Sequence, residues 1–140
     1  MKGTNEAIFS FEKFKIAKFS FTESENQEHQ LSIKIEPSGT YDEVNSRFEL
    51  TFVFKAFDKN DKETPMIDVS LVAYFKFKET TKIHEIPDYF YRNSLAIVFP
   101  YLRSFISSLT LQANIKLLVL PIFNLSNLEK PLRENTLTTA

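Results

Sequence analysis

The sequence predicts an α+β domain: a four-stranded antiparallel sheet with a long helix and a short C-terminal helix packed on one face. Three observations carry that expectation. Apolar and polar residues alternate with period two through the first half of the chain, the pattern of half-buried strands. From about residue 88 to 112 the apolar spacing lengthens to that of a helix. The segments between the alternating runs are short and polar, which favours an antiparallel meander.

The first strand lies in "IFSFEKFKIAKFSF", whose apolar positions are Phe9 and Phe11, then Phe14 and Ile16, then Phe19 and Phe21. The phase slips near Glu12-Lys13 and again near Ala17-Lys18. A period-two pattern can keep one face inward across such a slip only through a bulge or a bend. The acidic stretch "ESENQEHQ" reads as a loop. Leu31, Ile33 and Ile35 mark the second strand, which ends near Pro37-Ser38-Gly39. Phe48, Leu50, Phe52 and Phe54 mark the third. The fourth runs near 66–78 with Ile67, Val69, Leu71, Ala73, Phe75 and Phe77 on one face. Val53, Val72 and Tyr74 put apolar groups on the second face of the sheet, so part of it is expected to be covered.

Pro87 suits a first helical turn, and the helical pattern continues to about Gln112, with Asn114 as a left-handed cap. Within it Pro100 interrupts a stripe of Leu95, Val98, Leu102, Phe105 and Leu109. A proline in a helix interior costs about 3 kcal/mol. Either the regular helix starts near Phe99 or it is kinked there, and both readings make the proline structural. A short helix starting at Ser126 follows an apolar extended run. The whole chain, 1–140, is expected to form one domain with an ordered core of about 8–130 and a flexible tail, 131–140.

Composition narrows the function classes. The 140 residues carry a formal net charge of -1, so no global field draws in nucleic acid or an anionic membrane. There is no cysteine, hence no disulfide or thiolate metal site. Two glycines cannot write a phosphate-cradling motif. The uninterrupted apolar runs, 96–102 and 117–123, are too short to span a bilayer, and no apolar leader opens the chain; a cytoplasmic protein is expected. His29 and His84, the two histidines, have no spacing that would build a metal site. Ser104, His84 and Asp88 can be drawn as a triad, but without a nucleophile elbow that arrangement carries no weight. Lys13, Lys15, Lys18, Lys76 and Lys78 interleave with phenylalanine as a solvated face rather than a nucleic-acid platform. No enzyme activity, no cofactor and no nucleic-acid partner are expected. Fifteen phenylalanines are more than a small core needs, which points to interfaces.

One segment is distinctive. Val98, Phe99, Pro100, Tyr101 and Arg103, followed by Leu120, Pro121, Ile122, Phe123, Asn124 and Leu128, resemble the C-terminal part of the SecB family of protein-export chaperones. "FKIAKFSFTES" and "FELTFVFKAFD" resemble that family's first and third strands more loosely, so the resemblance covers about residues 8 to 130. It implies an ATP-independent holdase that binds unfolded polypeptides or preproteins in hydrophobic grooves, built as a homotetramer, a dimer of dimers. It places clients on Phe9, Phe11, Ile115, Leu117, Leu118, Val119, Phe123 and Leu125. It places the oligomer interface on Leu95, Val98, Phe99, Leu102, Phe105, Ile106 and Leu109.

Some positions depart from the family. Relatives that dock the SecA motor are acidic near the end of the first strand and on the fourth; here Lys18, Thr22 and Glu23 stand in the first region and only Asp68 in the second. The tail carries Lys130 and Arg133. These departures argue against SecA docking. Two further readings stand beside the export holdase. One is a SecB-like chaperone dedicated to a specific partner such as an antitoxin; the other is a ligand-binding or structural interaction domain of similar shape.

Overall fold

The structure is a computed structural model, and it describes residues 8–23, 31–58, 61–114 and 125–139. In chain order it contains β1 (Phe9–Phe21), β2 (Leu31–Asp42), β3 (Arg47–Asp58), β4 (Ile67–Phe77), α1 (Asp88–Gln112), α2 (Ser126–Glu134) and β5 (Thr136–Thr139). A turn of 3-10 helix, Ile83–Glu85, precedes α1.

The sheet has five strands in the order β1-β4-β3-β2-β5 and is mixed. The four-stranded antiparallel expectation is therefore corrected at two places. First, β1 does not extend a meander by pairing with β2 but lies antiparallel to β4, from Phe9 opposite Phe77 to Phe21 opposite Ile67. That placement brings the Phe9 ring within 6.0 Å, centroid to centroid, of Phe75, Phe77 and Phe90. Second, the tail expected to be flexible completes α2 and then forms β5, parallel to β2 over Gly39–Asp42. Upper β2 had unpaired backbone groups, and the tail supplies partners: the Gly39 amide donates to Asn135 O at 3.1 Å, and Thr139 Oγ1 donates to Tyr41 O at 3.3 Å. β5 stops short of Pro37, which has no amide to offer a neighbour.

Both phase slips in β1 are bulges. The register with β4 shifts between Phe11 and Lys13 and again between Ile16 and Lys18. β2 and β3 close through a tight turn in which the Asp42 carboxylate accepts hydrogen bonds from the Val44 and Asn45 amides and from Asn45 Nδ2. The bonds from Asn45 hold the Asp42 carboxyl below its usual pKa. Ser46 takes the left-handed conformation this turn needs.

One face of the sheet carries the core. Phe48, Leu50, Phe52 and Phe54 of β3, and Val69, Leu71, Phe75 and Phe77 of β4, are buried beneath α1. The helix answers with Phe90, Tyr91, Leu95, Val98, Leu102 and Ile106, and α2 adds Leu132. Burial raises the pKa of the Tyr91 hydroxyl, and it does the same at Tyr41, whose hydroxyl donates to Thr81 O at 2.7 Å. The buried hydroxyls of Ser94 and Thr110 bond back to the carbonyls of Tyr91 and Ser107. α1 ends with Asn114 at φ 59, the left-handed cap that glycine usually fills.

α1 runs unbroken through Pro100. Pro100 and Ala96, whose carbonyl loses its partner, both face solvent, so water satisfies the freed acceptor and the proline costs little. By length and hydropathy α1 could cross a membrane, although the shorter uninterrupted runs could not; its fully buried side chains are those lying on the sheet. α2 is tied to α1 by Arg133, whose guanidinium pairs with Asp88 at 3.1 Å and lies 5.0 Å from the Tyr91 ring centre.

Two expectations follow for stability. Phe90 is fully buried and meets Phe9, Phe48, Phe75 and Phe77. Phe90→Ala lowers unfolding free energy by about 3–5 kcal/mol in urea titration. Gly39 has no room for a side chain: a Cβ there would lie 2.4 Å from Phe48 Cζ and 2.9 Å from Thr136 Oγ1. Gly39→Ala therefore destabilises the protein instead of gaining the usual benefit of losing a glycine, and hydrogen exchange of 136–139 accelerates.

Candidate functional site

The edge where β1 meets α1 differs from the rest of the molecule. The two bulges restore phase twice, so Phe9, Phe11, Phe14, Ile16, Phe19 and Phe21 all pair with inward-facing residues of β4. The cover over them is uneven. Phe9 and Phe11 pack against the core, whereas Phe14 is 37% exposed and Phe19 58%. From the helix, Tyr101, itself 41% exposed, reaches down to Phe14 at 4.5 Å and Phe11 at 5.6 Å between ring centres. Phe105 meets Phe19 edge to face at 5.6 Å. The result is an apolar row of Phe14, Ile16, Phe19, Tyr101 and Phe105 that lies half in water.

β1 is also an outer strand. No described strand pairs with its free side, so its outward amides and carbonyls are open to a partner. The bulges break that edge into short runs, which limits any added strand to a few residues and protects the edge from continuous pairing. Polar backbone groups beside exposed rings make a surface that can hold an extended polypeptide by main-chain bonds and non-directional burial. Among the described residues no group of His, Asp and Glu gathers in a way that could hold a metal ion. His84 sits in the 3-10 turn and is exposed.

The residues expected from sequence fall in three places. Phe9, Phe11 and Leu125 are half-buried against the core. Ile115, Leu117, Leu118, Val119 and Phe123 lie outside the described residues. Of the seven assigned to an oligomer interface, Leu95, Val98, Phe99, Leu102 and Ile106 are buried in the chain's own core, and Phe105 and Leu109 are half-buried beside it. The outward side of α1 instead carries Tyr89, Ala96, Pro100, Ser104, Ser108 and Leu111. Lys18 and Asp68, weighed for motor docking, pair with each other at 3.2 Å. Sequence reading passed over Phe14, Phe19 and Tyr101. Their alternation and motif marked them as packing residues, and only the pairing of β1 at the sheet's edge shows that the helix does not cover them.

No family model matches the chain. The uncharacterized protein MJ0357 of Methanocaldococcus jannaschii is 30% identical over 114 residues, spanning 76% of this chain and 73% of that protein. Among solved structures, the Mycobacterium tuberculosis Rv1957 SecB-like chaperone, in complex with a ChAD peptide from the Rv1956 HigA1 antitoxin, superposes with a TM-score of 0.63. The match covers 83% of this chain and 91% of that one at 16% identity. At that identity the likeness is one of fold: this chain has a SecB-like fold.

If the apolar row is a surface and not core, its residues can be made polar cheaply. Phe19→Ser combined with Tyr101→Ser changes stability by no more than about 1–2 kcal/mol. The same pair of substitutions reduces binding of the apolar dye bis-ANS severalfold, read by fluorescence at saturating protein.

Proposed function

The chain belongs to the family of the uncharacterized protein MJ0357, and from that premise we propose that it is an ATP-independent chaperone that holds extended segments of other polypeptides. The observation that carries this reading is the half-exposed row of Phe14, Phe19, Tyr101 and Phe105 beside the unpaired, bulged edge of β1. A client lying along it gains about 25 cal/mol for each Å² of apolar surface buried, and pairs its backbone over one short run at a time. Such binding is reversible and indifferent to sequence, and it needs no catalytic group. The expected client residues Ile115, Leu117, Leu118, Val119 and Phe123 belong to the same proposal, since the chain leaves α1 at Asn114, beyond Phe105 on the same helix.

Assembly is part of the proposal. The outward side of α1 offers Ala96, Ser104 and Ser108, small enough for a second helix to approach closely, flanked by Tyr89 and Leu111. Two copies meeting there, and pairs of copies beyond that, give the homo-oligomer expected from the family resemblance. A cytoplasmic location goes with a holdase of newly made or unfolded chains. SecA docking is not part of it, because the Lys18–Asp68 pair neutralises the carboxylate that such docking would use.

A second reading, a chaperone dedicated to one partner, is favoured by the structural neighbour, whose complex contains a peptide of an antitoxin. The two readings share a surface and differ in breadth of clients.

The deciding experiment dilutes a urea-denatured protein into buffer with and without this chain, in the absence of nucleotide, and follows turbidity. Light scattering gives the mass of the purified chain. The proposal expects aggregation to be suppressed at near-stoichiometric ratio by an oligomer, and suppression to be lost in a Phe14→Ser, Phe19→Ser, Tyr101→Ser variant that remains folded. A folded wild type without effect on several unrelated clients contradicts general holding; suppression of one client alone supports the dedicated reading.

A further inference from the structure

The sheet has a second face, opposite α1, to which β1 contributes Lys13, Lys15 and Lys18, opposite Tyr74, Val72 and Ser70 of β4. Tyr74 stands at its centre. Lys13 Nζ lies 5.2 Å from the centre of its ring, Lys15 Nζ 5.8 Å and the Arg47 guanidinium 5.3 Å. Arg47 also pairs with Glu12 at 2.8 Å, but no ion pair among the described residues engages Lys13 or Lys15. Next to this group, Arg47 stands directly opposite Lys76 in the β3–β4 register, and Lys34 stands opposite Lys55 between β2 and β3. Like charges facing one another across strands cost stability. Carboxylates answer several of these cations: Lys34 pairs with Glu36 at 3.8 Å, and Arg47 and Lys55 stand opposite Asp42 and Asp68. Glu49 stands opposite Tyr74, which leaves Lys13 and Lys15 as the cations of this group without an ion pair among the described residues.

The tyrosine explains how they are held. A ring attracts cations through its quadrupole without cancelling their charge, whereas a carboxylate in the same place would neutralise them. Lys13 and Lys15 are thus gathered and kept available to an anion, while Arg47 is engaged by Glu12. Beside them Val72, 9% exposed, and Val53, half-buried, give the patch an apolar floor.

We propose that this face binds an acidic, extended peptide segment of a partner protein, with carboxylates on Lys13 and Lys15 and apolar side chains over Val53 and Val72. Lys13 and Lys15 are two residues apart on a strand, about 7 Å, which is the spacing of alternate side chains in an extended peptide. A single-stranded nucleic acid fits less well, because it needs open aromatic faces for base stacking and the Tyr74 ring is occupied by its own cations. The surface is separate from the row of Phe14, Phe19 and Tyr101, so it does not depend on the chaperone reading.

The test is fluorescence anisotropy with a labelled peptide alternating glutamate and valine, at low and at physiological salt. The wild type binds it; the affinity falls at least about tenfold in Lys13→Glu/Lys15→Glu and weakens as salt rises. The Lys13→Gln/Lys15→Gln variant, which removes charge without reversing it, gives an intermediate loss. Circular dichroism matches the wild type in both variants, so the loss of affinity is not one of folding. Equal binding by the Lys13→Glu/Lys15→Glu protein overturns the proposal, as does equal binding of a peptide with glutamine in place of glutamate. Tighter binding of a labelled oligothymidylate than of the acidic peptide overturns it in favour of nucleic acid.

Discussion

The structure depends on how one helix covers one face of a sheet wider than itself. Phe90 fixes the N-terminal half of α1 by meeting rings from β1, β3 and β4 at once, all within 5.5 Å of its centre. Pairs of this kind contribute beyond their buried area and set the helix's direction across the strands. Once that direction is set, the far end of β1 lies at the margin of the cover. Among the described residues the ring that meets Phe19 is that of Phe105, and the ring that meets Phe14 is that of Tyr101. The surplus of phenylalanine in the sequence is thus divided between a closed core and an open row.

The same constraint accounts for the charges. A strand at the edge must be kept from uncontrolled pairing, and β1 does so with two bulges and with lysines on the face away from the helix. Those lysines converge on Tyr74 because β1 runs antiparallel to β4 in a register that sets Lys13 opposite it. One strand therefore presents apolar rings to one side and cations to the other. The tail closes the opposite edge over Gly39–Asp42, and the helix before it is fastened by Arg133 to Asp88 and Tyr91. Of the two outer strands, β1, with 13 residues, is the longer, and β5 has four.

Much of this was legible in the residues. The slips at Glu12 and Ala17 announce two irregularities, a bulge or a bend at each, because a side-chain period of two cannot otherwise keep one face inward, and Pro87 and Asn114 bound α1 by their backbone preferences. Strand partnership was not legible: alternation fixes which residues face inward but says nothing of which neighbour a strand chooses, so β1 was expected in a meander. β5 was missed for a related reason. Its residues, Thr136 to Thr139, are polar, and their place depends on donors left open in β2, a fact of tertiary structure. The candidate site was half legible. The sequence shows aromatic rings in excess, but whether a given ring is covered depends on where the helix ends and the sheet continues. Phe9 and Phe14 look alike in sequence and differ only in what lies above them.

Hydrogen–deuterium exchange of the purified chain, with and without a bound unfolded client, reads the open edge of β1 directly. A client held along β1 protects amides within 13–21 and the α1 segment around Tyr101 and Phe105, with little change in β3. Protection confined to other regions, such as β5 or the turn between β2 and β3, with β1 unaffected, would contradict this placement of the client.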